Sequence, residues 1–379
     1  MSTEKSKRAI YIASVFSHLK AFHIPFLGML QEQGFEVWAA ARTNREQSRG
    51  YLESLGVKCI EMPFSRSPYS MSNIRAYNLM RKLFRENHFD LVHVHTPAAA
   101  FIARAAARGT GQGKIVYTAH GFHFYEGAPF KNWLIYYTAE KIARKWTDVL
   151  TTINKEDFEN GKKLGYEEGR SLFLTHGVGV DIDKYQLPKE VRVAARRMLG
   201  IYEESVVFIC IGELNKNKNQ KWLLEAWKEI QDGNCMLLIV GDGKLRSKLQ
   251  TFVKERDIDK VLFLGFREDI PELLAASDVL VSVSKTEGLP KNVMEAMASG
   301  KPVIKTNVRG TRDLVKDNET GLLVAPGSGH QLAEAMVTLS KNEKLRCEFG
   351  MKGRQLIDEF SIECVLGEMN AQYWRNARR

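Results

Sequence analysis

Residues 278–304 read DVLVSVSKTEGLPKNVMEAMASGKPVI, and the stretch resolves into strand, loop, helix and strand. The run ending at Ser284 is rich in valine, as strands are. The loop KTEGL leads to Pro290, a residue favoured at the first turn of a helix. Asn292, Val293, Met294, Ala296 and Met297 continue that helix until Ser299-Gly300 stops it. A second apolar run, PVIKT, follows. Glu287 therefore stands on the loop and Glu295 more than one turn into the helix.

The same alternation extends along the whole chain. RAIYIA, FEVWAA, VKCIEM, DLVHVH, KIVYTA and DVLTT lie in the first half, separated by helix-length segments. SVVFICIG, CMLLIVG, VLFLGF, DVLVSVS, PVIKT and GLLVA repeat the pattern in the second. The expectation is an α/β protein with two doubly wound, mostly parallel sheets, each covered on both faces and separated by a cleft. A length of 379 residues agrees with two domains. Glycines and a proline interrupt the pattern in THGVGVDIDKYQLP, residues 175–188, which reads as the hinge. The expected domains are residues 1–180 and 181–360. Helical spacing of Ile362, Val365, Met369 and Tyr373 predicts a closing helix in 361–379 that completes the first domain.

Apolar residues make up 44% and charged residues 26%, which excludes a disordered or fibrous chain. No apolar run is long enough to cross a bilayer, and the start MSTEKSKRAIYIASVF lacks a leader pattern, so a cytoplasmic protein is expected. The five cysteines, Cys59, Cys210, Cys235, Cys347 and Cys364, have no paired spacing and read as reduced packing residues. Of the net charge of +10, residues 1–180 carry +8. A basic first half attracts anionic lipid, phosphorylated substrates or nucleic acid. Nucleic acid is not an expected partner, because no recognition helix or stacking platform is present.

In open α/β sheets ligands bind beyond the carboxyl ends of the strands. The backbone N–H groups near Leu289, Lys291 and Asn292 open onto such a place, and a phosphate there gains hydrogen bonds and the positive helix end. Glu287 and Glu295 would repel phosphate, but they accept hydrogen bonds from hydroxyls. A nucleotide sugar carries hydroxyls on both sides of its diphosphate, which assigns Glu295 to the ribose and Glu287 to the sugar.

The segment SxxEGLPxxxxEAMASGxPVI resembles the E-x7-E motif of the retaining, GT-B-fold glycosyltransferases of family four. NVRGTRDLVKDNETGLLVAPG is similar to that family's continuation, and LLIVGDG, FLGFREDIPELLAASDVLVSVS, DLVHVHTP and YTAHGFHFY match further pieces. IGELNKNKN and FSHLKAFHIPF most resemble the bacterial capsule and exopolysaccharide transferases. The resemblance implies the same roles for Glu287 and Glu295. It implies a donor-diphosphate contact for Lys218 after Gly212; Glu213 stands where the family has an arginine, which leaves two readings open, Lys216 as the substitute cation and Glu213 as a partner for a donor or acceptor hydroxyl. It places His120 near the donor sugar, and Phe266 and Arg267 beside the nucleobase, although Phe266 also fits a core position. Ser14, His18 and His23 lie in or just after the first loop, where the family often has two glycines; their bulk points to an altered acceptor side or donor approach, and they are assigned to the acceptor side.

The implied reaction is transfer of a sugar, for example an N-acetylhexosamine from a UDP-sugar, to a lipid-linked saccharide. Pro290, the helix start and Lys218 stabilise the leaving diphosphate, and domain closure excludes water. Retention by same-face attack follows from the resemblance, with the leaving phosphate taking the proton. No cofactor or metal is expected; His93 and His95, on one strand face, are the metal candidates beside His120. APFKNWLIYYTAEKIARKW, residues 128–146, sets Phe130, Trp133, Tyr137 and Trp146 among Lys131, Lys141, Arg144 and Lys145. It reads either as a buried amphipathic helix or as a peripheral contact with anionic lipid on the inner membrane face, and NLMRKLFR is a second, weaker example. The competing functions are a nucleotide-sugar epimerase on the same fold, a non-catalytic nucleotide-sugar binder and a nucleic-acid-binding protein.

Overall fold

The structure is a computed structural model and describes residues 7–65, 67, 69–230 and 234–375. Residues 376–379 of the expected closing helix, and the first six residues of the chain, lie outside the described residues. The chain divides into two units. One runs to Val178 and resumes at Glu363; the other is Gly179–Ile362.

The first unit contains β1 (Arg8–Val15), β2 (Glu36–Arg42), β3 (Lys58–Glu61), β4 (Leu91–His95), β5 (Lys114–Ala119), β6 (Val149–Thr152) and β7 (Leu172–Leu174). They form one sheet in the order β3-β2-β1-β4-β5-β6-β7, with every pair parallel. The three-residue β7 is too short to stand out as a strand in the sequence. The second unit contains β8 (Val206–Ile211), β9 (Cys235–Val240), β10 (Val261–Gly265), β11 (Val279–Ser282), β12 (Val303–Thr306) and β13 (Gly321–Val324). Its order, β10-β9-β8-β11-β12-β13, repeats the same winding in parallel.

Burial on both faces explains the continuous apolar character of the strands. Along β1, Ile10 and Ile12 enter one core cluster, while Ala9, Tyr11 and Ala13 enter another on the opposite face. The helix Ile362–Trp374 covers that opposite face with Val365, Met369 and Tyr373. Periodicity supplied these positions without saying where they dock. The Tyr373 hydroxyl supplies that information, because it meets the hydroxyl of Tyr11 and lies 2.7 Å from His93 Nδ1.

In each sheet the winding reverses beside the first strand, between β1 and β4 and between β8 and β11. Such reversals leave a crevice at the carboxyl ends of the two strands. Cys210 and Cys235 are core residues, as expected, whereas Cys347 and Cys364 are exposed, so packing does not account for them.

Candidate functional site

In the second unit, the loop after β8 and the loop after β11 are stitched together. Asn217 donates from Nδ2 to the Thr286 carbonyl at 3.0 Å, and its own carbonyl accepts from Lys285 N at 2.8 Å. Asn215 Oδ1 accepts from the backbone N–H groups of Asn217 and Lys218, both at 3.0 Å, and folds the first loop back. This turn delivers Lys218 to Glu287, with Nζ 2.7 Å from Oε1.

A second ammonium reaches the same oxygen. Lys305, fully buried in β12, lies 3.3 Å from Glu287 Oε1 and donates to Ser282 Oγ at 2.7 Å. Burial alone would push the Glu287 carboxyl up; Lys305 and Lys218 outweigh it and hold the group down at about 2. Burial brings Lys305 down to about 8, against the pull of Glu287. Arg309 adds a guanidinium, its Nε donating to the Glu287 carbonyl at 3.1 Å. The close packing of this loop requires Gly310, where an added Cβ would lie 1.9 Å from the Gly288 carbonyl oxygen.

The helix Lys291–Ala298 follows, with Pro290 as the extended residue before it rather than its first turn. The Pro290 carbonyl takes the Val293 N–H at 3.1 Å. The N–H groups of Lys291 and Asn292 stand at the positive head of this helix. The Asn292 side chain anchors the helix head to the end of β8 through Ile211 O at 2.8 Å. Glu295 is buried and accepts from the Tyr185 hydroxyl at 2.8 Å, with Lys291 Nζ 3.7 Å away. Burial raises its carboxyl, partly offset by Lys291 and Tyr185.

Lys218, Glu287, Leu289, Pro290, Lys291, Asn292 and Glu295 thus belong to two adjoining loops and one helix head. Glu213 and Lys216 are exposed, and Gln220 Nε2 donates to the Glu213 carbonyl at 3.0 Å. Gly212 follows β8, and its carbonyl oxygen would lie 2.0 Å from a Cβ added at Gly241. Phe266 is 60% exposed, which overturns the core alternative, and Arg267 pairs with Asp269 through Nε at 2.7 Å. Lys305, Arg309 and Tyr185 were missed. A lone lysine inside an apolar strand was the available signal for Lys305. Arginine in place of a family glycine was the signal for Arg309.

In the first unit, ASVFSHLKAFH is not a loop. β1 runs through Ser14 to Val15 and the helix Phe16–Phe22 starts at once. Ser14 Oγ bonds Thr96 Oγ1 at 2.8 Å across the reversal between β1 and β4. Thr96 has φ 62°, a strained conformation for a β-branched residue. His23 follows the helix Phe16–Phe22 and is buried, so its side chain does not face solvent on the side assigned to the acceptor. It lies 3.4 Å from His18, Nε2 to Nε2. His120 Nε2 lies 3.2 Å from His95 Nδ1, and burial lowers His120 to about 4. The imidazoles grouped with metal-ligand spacing are His18, His23 and His120. His93 instead bonds Thr118 Oγ1 at 2.8 Å and Tyr373, so the His93–His95–His120 grouping is corrected. Beside Ser14 and His18 opens a cavity of about 800 Å³, walled by Tyr77, Phe101, Tyr136 and Trp146 among others.

Residues 128–146 divide between the two readings given for them. Trp133 and Tyr137 pack on the core, and Trp146 meets Phe101 edge-on. Phe130 is 81% exposed, with Leu134 and Ile142 also exposed. NLMRKLFR lies in the helix Ser72–Glu86 and buries Met80, Leu83 and Phe84. Among the described residues no helix is long and apolar enough to cross a membrane.

Two doubly wound parallel domains define the GT-B class of fold. The solved structure of Anabaena HepE in complex with UDP and glucose shares it, with TM-score 0.81 over 97% of this chain and 99% of that one, at 19% identity. Residues 191–356 match the family described as glycosyl transferases group 1, and residues 11–154 match glycosyl transferase 4-like. EpsD of Bacillus subtilis is 35% identical over 96% of this chain and 95% of its own. The UDP-Gal:alpha-D-GlcNAc-diphosphoundecaprenol alpha-1,3-galactosyltransferase of Escherichia coli is 31% identical over 74% of each chain. The chain belongs to the group 1 glycosyl transferases, and it is a glycosyltransferase.

Proposed function

We propose that the enzyme moves a sugar, with retention, from a nucleoside diphosphate donor to a lipid-linked saccharide in exopolysaccharide or capsule biosynthesis. The observation that carries this is the Lys218–Glu287–Lys305 group beside the helix head Lys291–Asn292. The donor diphosphate takes the helix N–H groups, and Glu295 and Glu287 take ribose and sugar hydroxyls. Lys305 is buried and stays with Glu287, while half-buried Lys218 turns to the leaving diphosphate and stabilises its charge. A carboxylate still paired with the buried Lys305 ammonium is a poor base and a poor nucleophile. This favours same-face attack, with the leaving phosphate accepting the acceptor's proton. His120 and Ser14 of the first unit are assigned to the reacting sugar and the acceptor. The E. coli relative, by its name, uses UDP-Gal and a diphosphoundecaprenol-linked acceptor, which supports a UDP-sugar and a lipid carrier here.

Exposed Phe130, Leu134 and Ile142 alternate with exposed Lys131, Lys141 and Lys145. This supports peripheral docking on anionic lipid. Sedimentation with anionic vesicles at low salt tests it: the wild type pellets and a Phe130→Ser, Leu134→Ser double variant does not, whereas equal recovery in the supernatant removes the docking claim.

The transfer itself is tested by incubation with UDP- and GDP-sugars and a polyprenyl diphosphate saccharide. Mass spectrometry reads the product, and NMR coupling constants read the new anomeric centre. One donor should give a product with retained configuration. An inverted product, or conversion of the donor alone into its epimer, contradicts the reading.

A further inference from the structure

The three imidazoles of His18, His23 and His120 come from separate places: a helix, the junction between two helices, and the end of β5. Their nearest ring nitrogens all lie within 4.8 Å of one another. The Nε2–Nε2 separation of His18 and His23, 3.4 Å, is long for an N–H···N hydrogen bond. It matches the nitrogen–nitrogen edge of a tetrahedral site with bonds of about 2.0–2.1 Å, which is about 3.3–3.4 Å.

A second observation comes from His95. Its ring is fully buried, with its centroid 3.9 Å from that of His23, and its Nε2 has no hydrogen-bond partner among the described residues. Its other nitrogen, Nδ1, lies 3.2 Å from His120 Nε2. Buried polar atoms left without partners are costly. His23 and His95 are buried while His18 and His120 are partly exposed, so the imidazoles gather around a place at the edge of the core.

We propose that His18, His23 and His120 bind one Zn²⁺ ion. The group offers three imidazole nitrogens and no carboxylate, which suits zinc and excludes calcium and magnesium. Three protein ligands leave a fourth position for water or for an oxygen of a bound molecule. His18 also lines the 800 Å³ cavity, which supplies the approach to that position. The site lies wholly in the first unit and shares His120 with the proposed transfer, whereas its metal binding is read without any donor.

The test uses the full-length protein without a polyhistidine tag. Zn²⁺ is titrated against a chromophoric chelator, and Co²⁺ replaces it as a visible probe. One equivalent should bind, and Co²⁺ should give the strong visible bands of a four-coordinate ion. His18→Gln should lower affinity at least about tenfold, the loss that weakening even an outer partner typically causes. His330→Gln, at an exposed histidine remote in sequence, should change nothing. His18 is only partly buried, so its variant is read alongside circular dichroism to show that it folds. No stoichiometric binding, equal affinity in His18→Gln, or loss in His330→Gln would overturn the proposal.

Discussion

Lys305 Nζ lies 3.3 Å from Glu287 Oε1, and the lysine is fully buried inside a parallel sheet. Its burial opposes the charge, and the carboxylate and two serine hydroxyls support it.

The ammonium should therefore titrate near 8 rather than at the ordinary lysine value. Reductive ¹³C-methylation followed by NMR would show one lysine resonance moving with that midpoint, assigned by its absence in Lys305→Met. A midpoint above 10 contradicts the burial argument. The unfolded chain binds the extra proton between about 8 and 10.5, so this group makes stability rise with pH across that window.

Glu287 acts in the opposite range. Its folded value of about 2 lies below the ordinary 4.5, so its stabilisation is complete above pH 4.5 and is lost as pH falls toward 2. Glu287→Gln should flatten that part of the acid-unfolding curve. A curve of unchanged steepness would show that the two lysines do not grip the carboxylate.

Lys218→Ala and Glu295→Gln should each lower donor binding or turnover at least about tenfold, a loss of ~1.4 kcal/mol. Circular dichroism should show the fold intact. Unchanged steady-state kinetics in either variant counts against their roles.

Tyr185→Phe removes the hydroxyl that donates to buried Glu295. The expected loss is about 1–3 kcal/mol at neutral pH by urea unfolding. It should shrink in acid, because burial already raises that carboxyl and protonation relieves it. Equal losses at both pH values would indicate a packing effect instead.

Arg104 and Glu140 form a buried pair in the first unit, with Nη2 2.9 Å from Oε1. Removing one partner strands a buried charge, so Arg104→Ala should cost about 3–5 kcal/mol in denaturant unfolding. A loss below about 1 kcal/mol would mean that water reaches Glu140.

The legible parts of the sequence were those governed by local patterning. Twelve of the strands announce themselves as apolar runs, and Glu287 and Glu295 are spaced by a loop and one helical turn. What escaped notice depends on contacts between distant segments. Tyr373 is one position in a periodic helix until Tyr11 and His93 define its partner. Tyr185 lies in an irregular stretch 110 residues from Glu295. Strand and helix join at Phe16 without a break, and no spacing rule links His18 and His23 to His120. Lys305 is the exception, since a lone cation inside an apolar strand is visible in the sequence itself.

The most direct test of the central claim is a crystal structure with a bound UDP-sugar. Phosphate oxygens should lie within hydrogen-bonding distance of the Lys291 and Asn292 backbone N–H groups and of Lys218 Nζ, with Glu295 on the ribose. A diphosphate bound elsewhere, with Lys218 still paired to Glu287 and the helix head untouched, would contradict it.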